Sequence, residues 1–373
     1  MNNKVCELVG CEFPLFAFSH CRDVVAAVSR AGGFGVLGGS SFSPEQLETE
    51  LQWIDAHVDG KPYGVDILVP EHQEDMSSIT GEQLAAKIPQ QHIDFTVDLL
   101  KKHGIPTTAD EMVRKSLPNT APSLGEALMD VAFRHPIRLI ANALGIAPKS
   151  MIDRGRQHGV PVAALVGAKE HALRQVKAGV DIIVVQGTEA GGHCGEVSTL
   201  VLVPEVIRAL KSVSNVPVLA AGGIMTGRQM AGCMAMGAQG VWTGSVWLAT
   251  TEAETSEAFR DKMVAATSRD TIRAKSRTGK PSRQLRSAWH DAWEGVGSPG
   301  SLGMPLMGMI SQPAFSKIDK AVAAGNKEAL PLVSYWVGQG VGLIDSVKSA
   351  TAVVQEFKEE FAEALMDLQA TVE

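Results

Sequence analysis

Short, continuously apolar segments alternate with amphipathic segments along most of this chain. Apolar residues at consecutive positions, as in DIIVVQ and VPVLAA, are typical of strands that are covered on both faces of a parallel sheet. Eight segments have this character, at 14–19, 35–38, 63–69, 137–143, 160–166, 181–186, 216–221 and 240–245. The amphipathic stretches between them predict helices, for example over 168–178, 204–212 and 227–236.

Eight strand–helix units with short links predict an α/β fold, a (β/α)8 TIM barrel with a smaller, mostly helical second region. The barrel is expected to occupy residues 1–251, with a helical insertion at 70–135 that is too long for a simple crossover. Residues 252–335 are expected to form a helical region on the substrate side. Residues 336–373 are expected to provide a glycine-rich turn at the active site and a C-terminal helix, over 346–368, that packs on the barrel.

Composition and charge narrow the functional classes. The 34 basic and 41 acidic residues give a net charge of −7, so the chain has no general attraction for nucleic acid or for an anionic membrane. The five cysteines are odd in number and lack CxxC spacing, which favours reduced thiols in the cytoplasm. Neither a signal-peptide pattern nor an apolar run near the ~20 residues of a membrane helix occurs, so a soluble cytoplasmic protein is expected. The absence of HExxH and EF-hand patterns predicts no metal site.

Glycines follow the seventh and eighth predicted strands. Gly222 and Gly223 come directly after VPVLAA, and Gly244 and Ser245 lie in WTGS at the end of the eighth strand. Backbone N–H groups at glycines can approach an anion closely, and the loops after strands seven and eight form the usual phosphate site of a TIM barrel. The hydroxyls of Thr243 and Ser245 and the start of the next helix could add to that site. A pair of tight turns is the alternative interpretation.

The loop after the sixth strand, GTEAGGHCGE, holds His193 among glycines. A histidine there can act as a general base, because its ordinary pKa of about 6.5 is close to working pH. A structural histidine in a turn is the alternative. Glu189 is expected to brace the loop, and Cys194 is not expected to act as a nucleophile, because adjacent residues in a turn usually point apart. A second glycine-rich segment, WVGQGVGL at 336–343, either approaches a heteroaromatic ring or is a simple turn.

Taken together, these motifs resemble the nitronate monooxygenase family, formerly called 2-nitropropane dioxygenases. The resemblance runs from Phe13 to about Leu343 and is strongest over 160–250, with GTEAGGHCG, AAGGIMTGRQM and GAQGVWTGSVWLATTEAE. The flavin-dependent enoyl-acyl-carrier-protein reductase is similar in its barrel, its FMN and its EAGGH-type loop. The resemblance implies an FMN enzyme that oxidises alkyl nitronates or nitroalkanes with O2 to a carbonyl compound and nitrite.

The resemblance also implies roles for particular residues. His193 matches the family's active-site histidine, which abstracts the α-proton of a neutral nitroalkane or positions the nitronate beside the flavin. The phosphate of FMN would lie on the glycines after strands seven and eight, and the ring system at the barrel mouth. The implied FMN-binding residues are Ala17, Phe18, Asp66, Gln186, Gly191, Gly192, Gly222, Gly223, Gly244, Ser245 and Gln339. The expected partners are the small substrate and O2, with no nucleic acid and no membrane, and a homodimer stays open.

Two departures from the family pattern bear on the substrate. Many members carry Asn where YGVDILV has Asp66, and a carboxylate beside a flavin disfavours the anionic reduced ring unless it is protonated or hydrogen-bonded elsewhere. The first strand, PLFAFS, also lacks the Ala-Pro-Met sequence common in these barrels. Both changes are compatible with a subgroup that acts on a different substrate.

Three other functions remain open at this point. The first is an NAD(P)H-dependent flavin reductase of an enoyl thioester or a quinone, in which the basic stretch 275–286 would hold a pyrophosphate or a phosphopantetheine. A solvated basic face is the simpler explanation of that stretch. The second is a sugar-phosphate isomerase or lyase without flavin, and the third is an inert flavin-binding protein.

Overall fold

A closed eight-stranded parallel barrel forms the centre of the molecule, which confirms the predicted TIM barrel. The structure, a computed structural model, describes residues 3–69, 80–116 and 122–372. The barrel strands are β1 (Leu15–Ser19), β2 (Phe34–Gly38), β3 (Tyr63–Asp66), β4 (Leu139–Asn142), β5 (Val162–Val166), β6 (Ile182–Gln186), β8 (Val218–Ala221) and β9 (Val241–Thr243). Each of the eight predicted segments overlaps one of these strands, and β2 begins one residue before its segment. A separate three-stranded sheet joins β7 (Gly192–His193), β10 (Thr271–Ala274) and β11 (Ser282–Leu285).

Helices surround the barrel and build the region beside it. They are α1 (Lys4–Val9), α2 (Arg22–Arg30), α3 (Pro44–His57), α4 (Gly81–Ala85), α5 (Gln90–Lys102), α6 (Pro122–Ala132), α7 (Lys149–His158), α8 (Lys169–Ala178), α9 (Thr199–Leu210), α10 (Gly227–Ala235), α11 (Glu257–Val264), α12 (Ala288–Trp293), α13 (Leu306–Ala323) and α14 (Ala350–Val372). Within the described residues, no helix has the length and apolar character needed to cross a bilayer.

Side chains alternate along the strands between two buried clusters. Phe16, Phe34, Val184 and Trp242 belong to a cluster that fills the barrel, and α1 adds residues to the same cluster. The intervening strand residues, such as Val65, join a larger cluster beneath the surrounding helices. Because successive residues of a strand point to opposite faces, this alternation fixes which strand ends point into the barrel.

The helices of the insertion after β3 pack on two different parts of the molecule. Helix α6 packs on α3 as a barrel helix, whereas α4 and α5 pack on α13 from the later part of the chain. Ring contacts join Phe95 of α5 to Trp293 of α12 at 4.9 Å between ring centroids. The predicted insertion at 70–135 and the predicted region at 252–335 therefore pack together, although residues 70–79 and 117–121 lie outside the described part of the chain.

The sequence predicted a helical region over 252–335, but helices form only part of it. It also contains the antiparallel pair β10 and β11, which joins β7 through the register of Ser282 with His193. Strand β11 reads SRQL, and all four residues are buried, so polar side chains occupy positions where a strand pattern would show apolar ones. Because of this polar composition, the sequence pattern did not predict the hairpin.

The C-terminal helix α14 packs on the barrel helices, chiefly against α10. A Cβ at Gly227 would lie 2.6 Å from the backbone nitrogen of Phe361 and still closer to the carbonyl oxygen of Phe357. The backbones of the two helices therefore approach each other at a point that only glycine permits.

Candidate active site

The carboxyl ends of the barrel strands bring together the four glycine-bearing segments that the sequence singled out. A Cβ at Gly191 would lie 2.8 Å from the backbone nitrogen of Gly338, and one at Gly340 would lie 2.7 Å from the carbonyl oxygen of Gly223. The N–H of Gly338 donates to the hydroxyl oxygen of Ser245 at 2.9 Å. The turn at 336–343 is therefore packed into the barrel mouth and is not a remote turn between helices.

The glycines after β8 and β9 form an open main-chain cradle. Gly222 and Gly223 have φ values of 107° and 72°, in the left-handed region that favours glycine. A Cβ at Gly244 would meet nothing within 4 Å, so open space lies in front of it. The N–H groups of these three glycines donate to no other group within the described residues. Main-chain N–H groups without an acceptor are suited to binding phosphate oxygens.

The hydroxyls of Thr243 and Ser245, at the end of β9, differ in whether they are free to bind an anion. Thr243 is buried, and its hydroxyl donates to the carbonyl oxygen of Phe16 at 2.9 Å while it accepts from the indole N–H of Trp247 at 2.9 Å. Thr243 therefore holds the strand end and is not available to an anion. Ser245 accepts from Gly338 but keeps its own proton, which it can donate to a phosphate.

The N-terminus of α10 does not face an open anion site, in contrast to the expectation from sequence. The N–H of Gly227 donates to the carboxylate of Glu360 on α14 at 2.7 Å, and the N–H of Gln229 donates to the hydroxyl of Thr226 at 3.2 Å. A carboxylate from the C-terminal helix thus occupies the place that the helix start would otherwise offer to a phosphate.

Asp66, at the end of β3, is a buried carboxyl group turned into the barrel. Its neighbours Val65 and Ile67 join the outer cluster, so the alternation places Asp66 on the inner face. The residue is 4% exposed, and its Oδ1 has no hydrogen-bond partner within the described residues. Burial raises the pKa of Asp66 to about 7. Because an unpaired buried oxygen is costly, this atom is suited to a group that binds at the barrel mouth.

Other residues expected at the flavin ring occupy different positions. Ala17 belongs to the outer cluster, so only its backbone can reach the mouth. Phe18 is half-buried and packs against the inner cluster. Gln186 ends β6 two residues after Val184, on the inner face. Gln339 is half-buried, and its N–H donates to the carbonyl oxygen of Glu189 at 2.8 Å.

The loop that carries His193 is tightly braced. The carboxylate of Glu189 accepts from both the N–H and the hydroxyl of Thr199, each at 2.9 Å. The same hydroxyl lies 3.0 Å from the carbonyl oxygen of Gly222, so the brace reaches the glycine cradle. Glu189 therefore has the structural role expected of it.

His193 lies in the short strand β7, at the edge of the site, with an exposed ring. Its Nε2 lies 2.8 Å from the hydroxyl of Thr278, which belongs to the turn between β10 and β11. Surrounding protein atoms and the positive charge of Lys280 lower the pKa of His193, so the imidazole is neutral near pH 7. The neutral ring retains one unprotonated nitrogen and can accept a proton.

Cys194 is half-buried beside His193. Burial raises the pKa of its thiol, although the nearby charges of Arg283 and Arg273 oppose that rise. A thiol of this kind is a poor nucleophile near neutral pH, in agreement with the expectation that Cys194 has no catalytic role.

Sequence reasoning singled out none of three residues at this edge of the site, Thr278, Lys280 and His20. Thr278 and Lys280 come from the turn of the concealed hairpin, and only the pairing of β11 with β7 places them beside His193. His20 follows β1 directly, and its Nδ1 lies 3.3 Å from the carbonyl oxygen of Gly38. A histidine that follows a barrel strand was a signal the sequence offered, because such positions lie at the active-site face.

Comparisons with known proteins show similarity in sequence and in fold. The chain matches the sequence model of the family described as nitronate monooxygenase over residues 14–360. A Mycobacterium tuberculosis protein, described as a candidate monooxygenase, is 51% identical over 100% of both chains. FabK from Thermotoga maritima has a TM-score of 0.72 at 25% identity, covering 100% of this chain and 99% of its own. The nitroalkane oxidase from Streptomyces ansochromogenes has the same fold, with a TM-score of 0.78 at 22% identity over 98% and 99% of the two chains.

Proposed function

Because this chain belongs to the nitronate monooxygenase family, we propose that it is an FMN-dependent oxidoreductase that converts alkyl nitronates and O2 into a carbonyl compound and nitrite. The observation that carries the proposal is the packing of the His193 loop on the open glycine cradle. Glu189 and Thr199 join the two directly, so a proton acceptor and an anion site lie at the same barrel mouth.

The residues of the mouth fit FMN. The N–H groups of Gly222, Gly223 and Gly244 and the hydroxyl of Ser245 would hold the phosphate. Along the ring system, the inner-face residues Phe18, Asp66 and Gln186 and the turn residue Gln339 would contact the flavin, together with the backbones of Ala17, Gly191 and Gly192. The unpaired Oδ1 of Asp66 gives the ring edge a polar partner. When bound, FMN supplies an acceptor that takes electrons from the substrate and passes them to O2.

His193 moves the proton in this proposal. The hydroxyl of Thr278 lies 3.2 Å from the carbonyl oxygen of Lys280, to which it donates, so it accepts from the Nε2–H of His193. The proton on Nε2 leaves Nδ1 as the basic nitrogen, which takes the α-proton of a neutral nitroalkane. A preformed nitronate has already lost that proton and needs only to be positioned.

Similarity to FabK and the basic hairpin beside His193 favour one second candidate. In it, the same flavin site would take a hydride from NAD(P)H and reduce an enoyl thioester or a quinone. The two candidates share FMN and the barrel mouth, and they differ in the electron donor.

Parallel assays of oxygen uptake and nitrite release separate the two candidates. Purified protein loaded with FMN is given the nitronate of nitroethane, with and without NADPH. The proposal predicts nitrite formation coupled to oxygen uptake and independent of NADPH. No nitrite from the nitronate, together with NADPH oxidation that depends on a crotonyl thioester or a benzoquinone, would replace it with the second candidate.

A further inference from the structure

The turn between β10 and β11 is fixed against the catalytic loop. Thr278 contacts Nε2 of His193, and the same hydroxyl accepts from the N–H of Lys280 at 3.3 Å. Gly279 has a φ of 89°, and a Cβ there would lie 2.7 Å from the carbonyl oxygen of Leu302. The turn is thus held on one side by His193 and on the other by the segment at 302–304, so the backbone of Lys280 has a defined place at the mouth.

The base of the same turn is held by stacked rings. The guanidinium of Arg277 lies 4.0 Å from the ring centroid of Phe315 and 4.4 Å from that of Trp336. Because Trp336 begins the segment that packs into the barrel mouth, Arg277 ties the turn to that segment. The charged guanidinium of Arg277 is therefore stacked on aromatic rings.

The two arginines of the paired strands β10 and β11 also have partners. Arg283 donates to the carbonyl oxygen of Thr188 at 2.8 Å, and Arg273 pairs with the carboxylate of Glu196 at 3.5 Å. Both arginines hold the catalytic loop to the hairpin. Lys280, by contrast, is exposed and forms no ion pair with any described residue. Its ammonium thus carries a positive charge without an ion-pair partner among the described residues, on a residue whose backbone N–H is bonded to the same Thr278 hydroxyl that contacts His193.

We propose that Lys280 is a positioning residue that binds the negatively charged oxygens of a nitronate beside His193, so that the site favours the anionic form of the substrate over the neutral nitroalkane. This inference rests on the proposed function. His193 is neutral and cannot itself attract an anion, because burial and, to a lesser extent, the positive charge of Lys280 lower the pKa of its ring. The flexible stem of lysine lets the ammonium follow a small anion at the edge of an open site.

The test compares two forms of one substrate on the FMN-loaded enzyme. Nitroethane and its preformed nitronate are assayed with wild type, Lys280→Met, Lys280→Arg and Lys275→Met at pH 8, where His193 is neutral in all four. Lys275 is an exposed lysine of the same turn and has no hydrogen bond to His193 or Thr278 within the described residues, so it controls for net charge. Lys280→Met is expected to raise KM for the nitronate about tenfold, the usual effect of losing a charge-assisted contact. It is expected to lower kcat/KM for nitroethane by a smaller factor, because the nitro oxygens carry only part of that negative charge while the α-proton is being removed.

Lys280→Arg is expected to restore most of the nitronate KM, and Lys275→Met to behave as wild type. Added NaCl is expected to raise the nitronate KM of wild type but not that of Lys280→Met. Equal losses on both substrates would show that Lys280 only supports the fold of the turn. Equal effects of Lys275→Met and Lys280→Met would show a diffuse field rather than a binding contact, and either result overturns the proposal.

A binding measurement separates this inference from the proposed function. Nitrate is a planar anion whose charge is spread over oxygens, like that of a nitronate, and it is not oxidised. Calorimetric titration of the FMN-loaded wild type with nitrate is expected to give binding that Lys280→Met weakens about tenfold. If nitrate binding depends on Lys280 but the enzyme does not turn over the nitronate, the anion site is supported and the proposed function is rejected. Equal nitrate affinity in the two proteins would reject the anion site.

Discussion

His193 and Thr278 form a pair whose partners come from different parts of the chain. The loop after β6 places the imidazole, and the hairpin at 271–285 places the hydroxyl that lies 2.8 Å from Nε2. Because this contact orients the ring and fixes which nitrogen is protonated, the basic nitrogen is prepared before substrate arrives. The proposed proton transfer can therefore be tested by changing single residues.

Replacement of His193 by Asn is expected to retain FMN and to lower kcat/KM for neutral nitroethane by about 100-fold or more, the usual contribution of a general base. Activity on the preformed nitronate should fall much less, because no proton has to be removed. Steady-state kinetics with both substrates and the flavin absorption spectrum check this. Unchanged nitroethane turnover would contradict the role of His193 as the base.

Asp66 carries a pH dependence that can be measured without any substrate. Burial raises its pKa to about 7, so the folded protein keeps the carboxyl group neutral where the unfolded chain has ionised it. The free energy of unfolding therefore falls as pH rises from about 4 to about 7. In FMN-free protein, Asp66→Asn is expected to be more stabilising at pH 8 than at pH 5, by on the order of 2 kcal/mol. Urea denaturation of both proteins at the two pH values measures the difference, and an equal difference at both pH values would show that Asp66 does not titrate in this way.

At the scale of elements, α10 and α14 make a contact that depends on one glycine. Gly227 allows the backbone of α10 to meet the carbonyl oxygen of Phe357, and Glu360 then caps the N–H of Gly227. The start of α10 is thereby closed to phosphate, which leaves the cradle after β8 and β9 as the proposed anion site.

Alanine at Gly227 is expected to destabilise the protein by about 2 kcal/mol or more, because the added Cβ overpacks a helix–helix contact. Gly232 lies in the same helix, and a Cβ there would meet nothing within 4 Å. Gly232→Ala is therefore the matched control, with an expected gain of up to ~1 kcal/mol from helix propensity. Thermal unfolding followed by circular dichroism compares the two variants, and similar Tm values would contradict the packing argument.

The elements also show which parts of the fold the sequence can predict. The barrel strands were evident because both of their faces are buried and most of their positions are apolar, and all eight predictions were confirmed. Helix α9 begins at Thr199 rather than at Pro204, since the proline is tolerated inside the helix rather than marking its start. Strand β11 was invisible because its buried residues, such as Gln284, are polar and satisfied by tertiary partners.

The same limit applies to the candidate site. The glycines and His193 were found from local sequence because they follow barrel strands, whose ends share one face of the barrel. Thr278 and Lys280 are about 85 residues away from His193 in the chain and reach it only through the pairing of β11 with β7, a long-range contact without a local signal. Thr243 was misassigned as a phosphate donor because sequence does not show that its hydroxyl is used by Phe16 and Trp247.

At the scale of the whole molecule, the barrel and the region beside it contribute different parts of one site. The barrel supplies the phosphate cradle and the inner-face residues, and residues 271–285 supply the partner of His193 and an unpaired cation. Helices α4 and α5 pack on α13, which belongs to that second region. The proposed function requires both parts, because the cradle alone would bind a phosphate without selecting an electron donor.

The central claim is that a nitronate, rather than NAD(P)H, delivers electrons to a flavin at this mouth. The most direct measurement is the absorbance of the FMN-loaded protein near 450 nm, about where oxidised flavins absorb, after anaerobic mixing with the nitronate of nitroethane or with NADPH. The proposal predicts rapid bleaching by the nitronate, none by NADPH, and recovery of the absorbance when O2 is admitted. Bleaching by NADPH but not by the nitronate would contradict it.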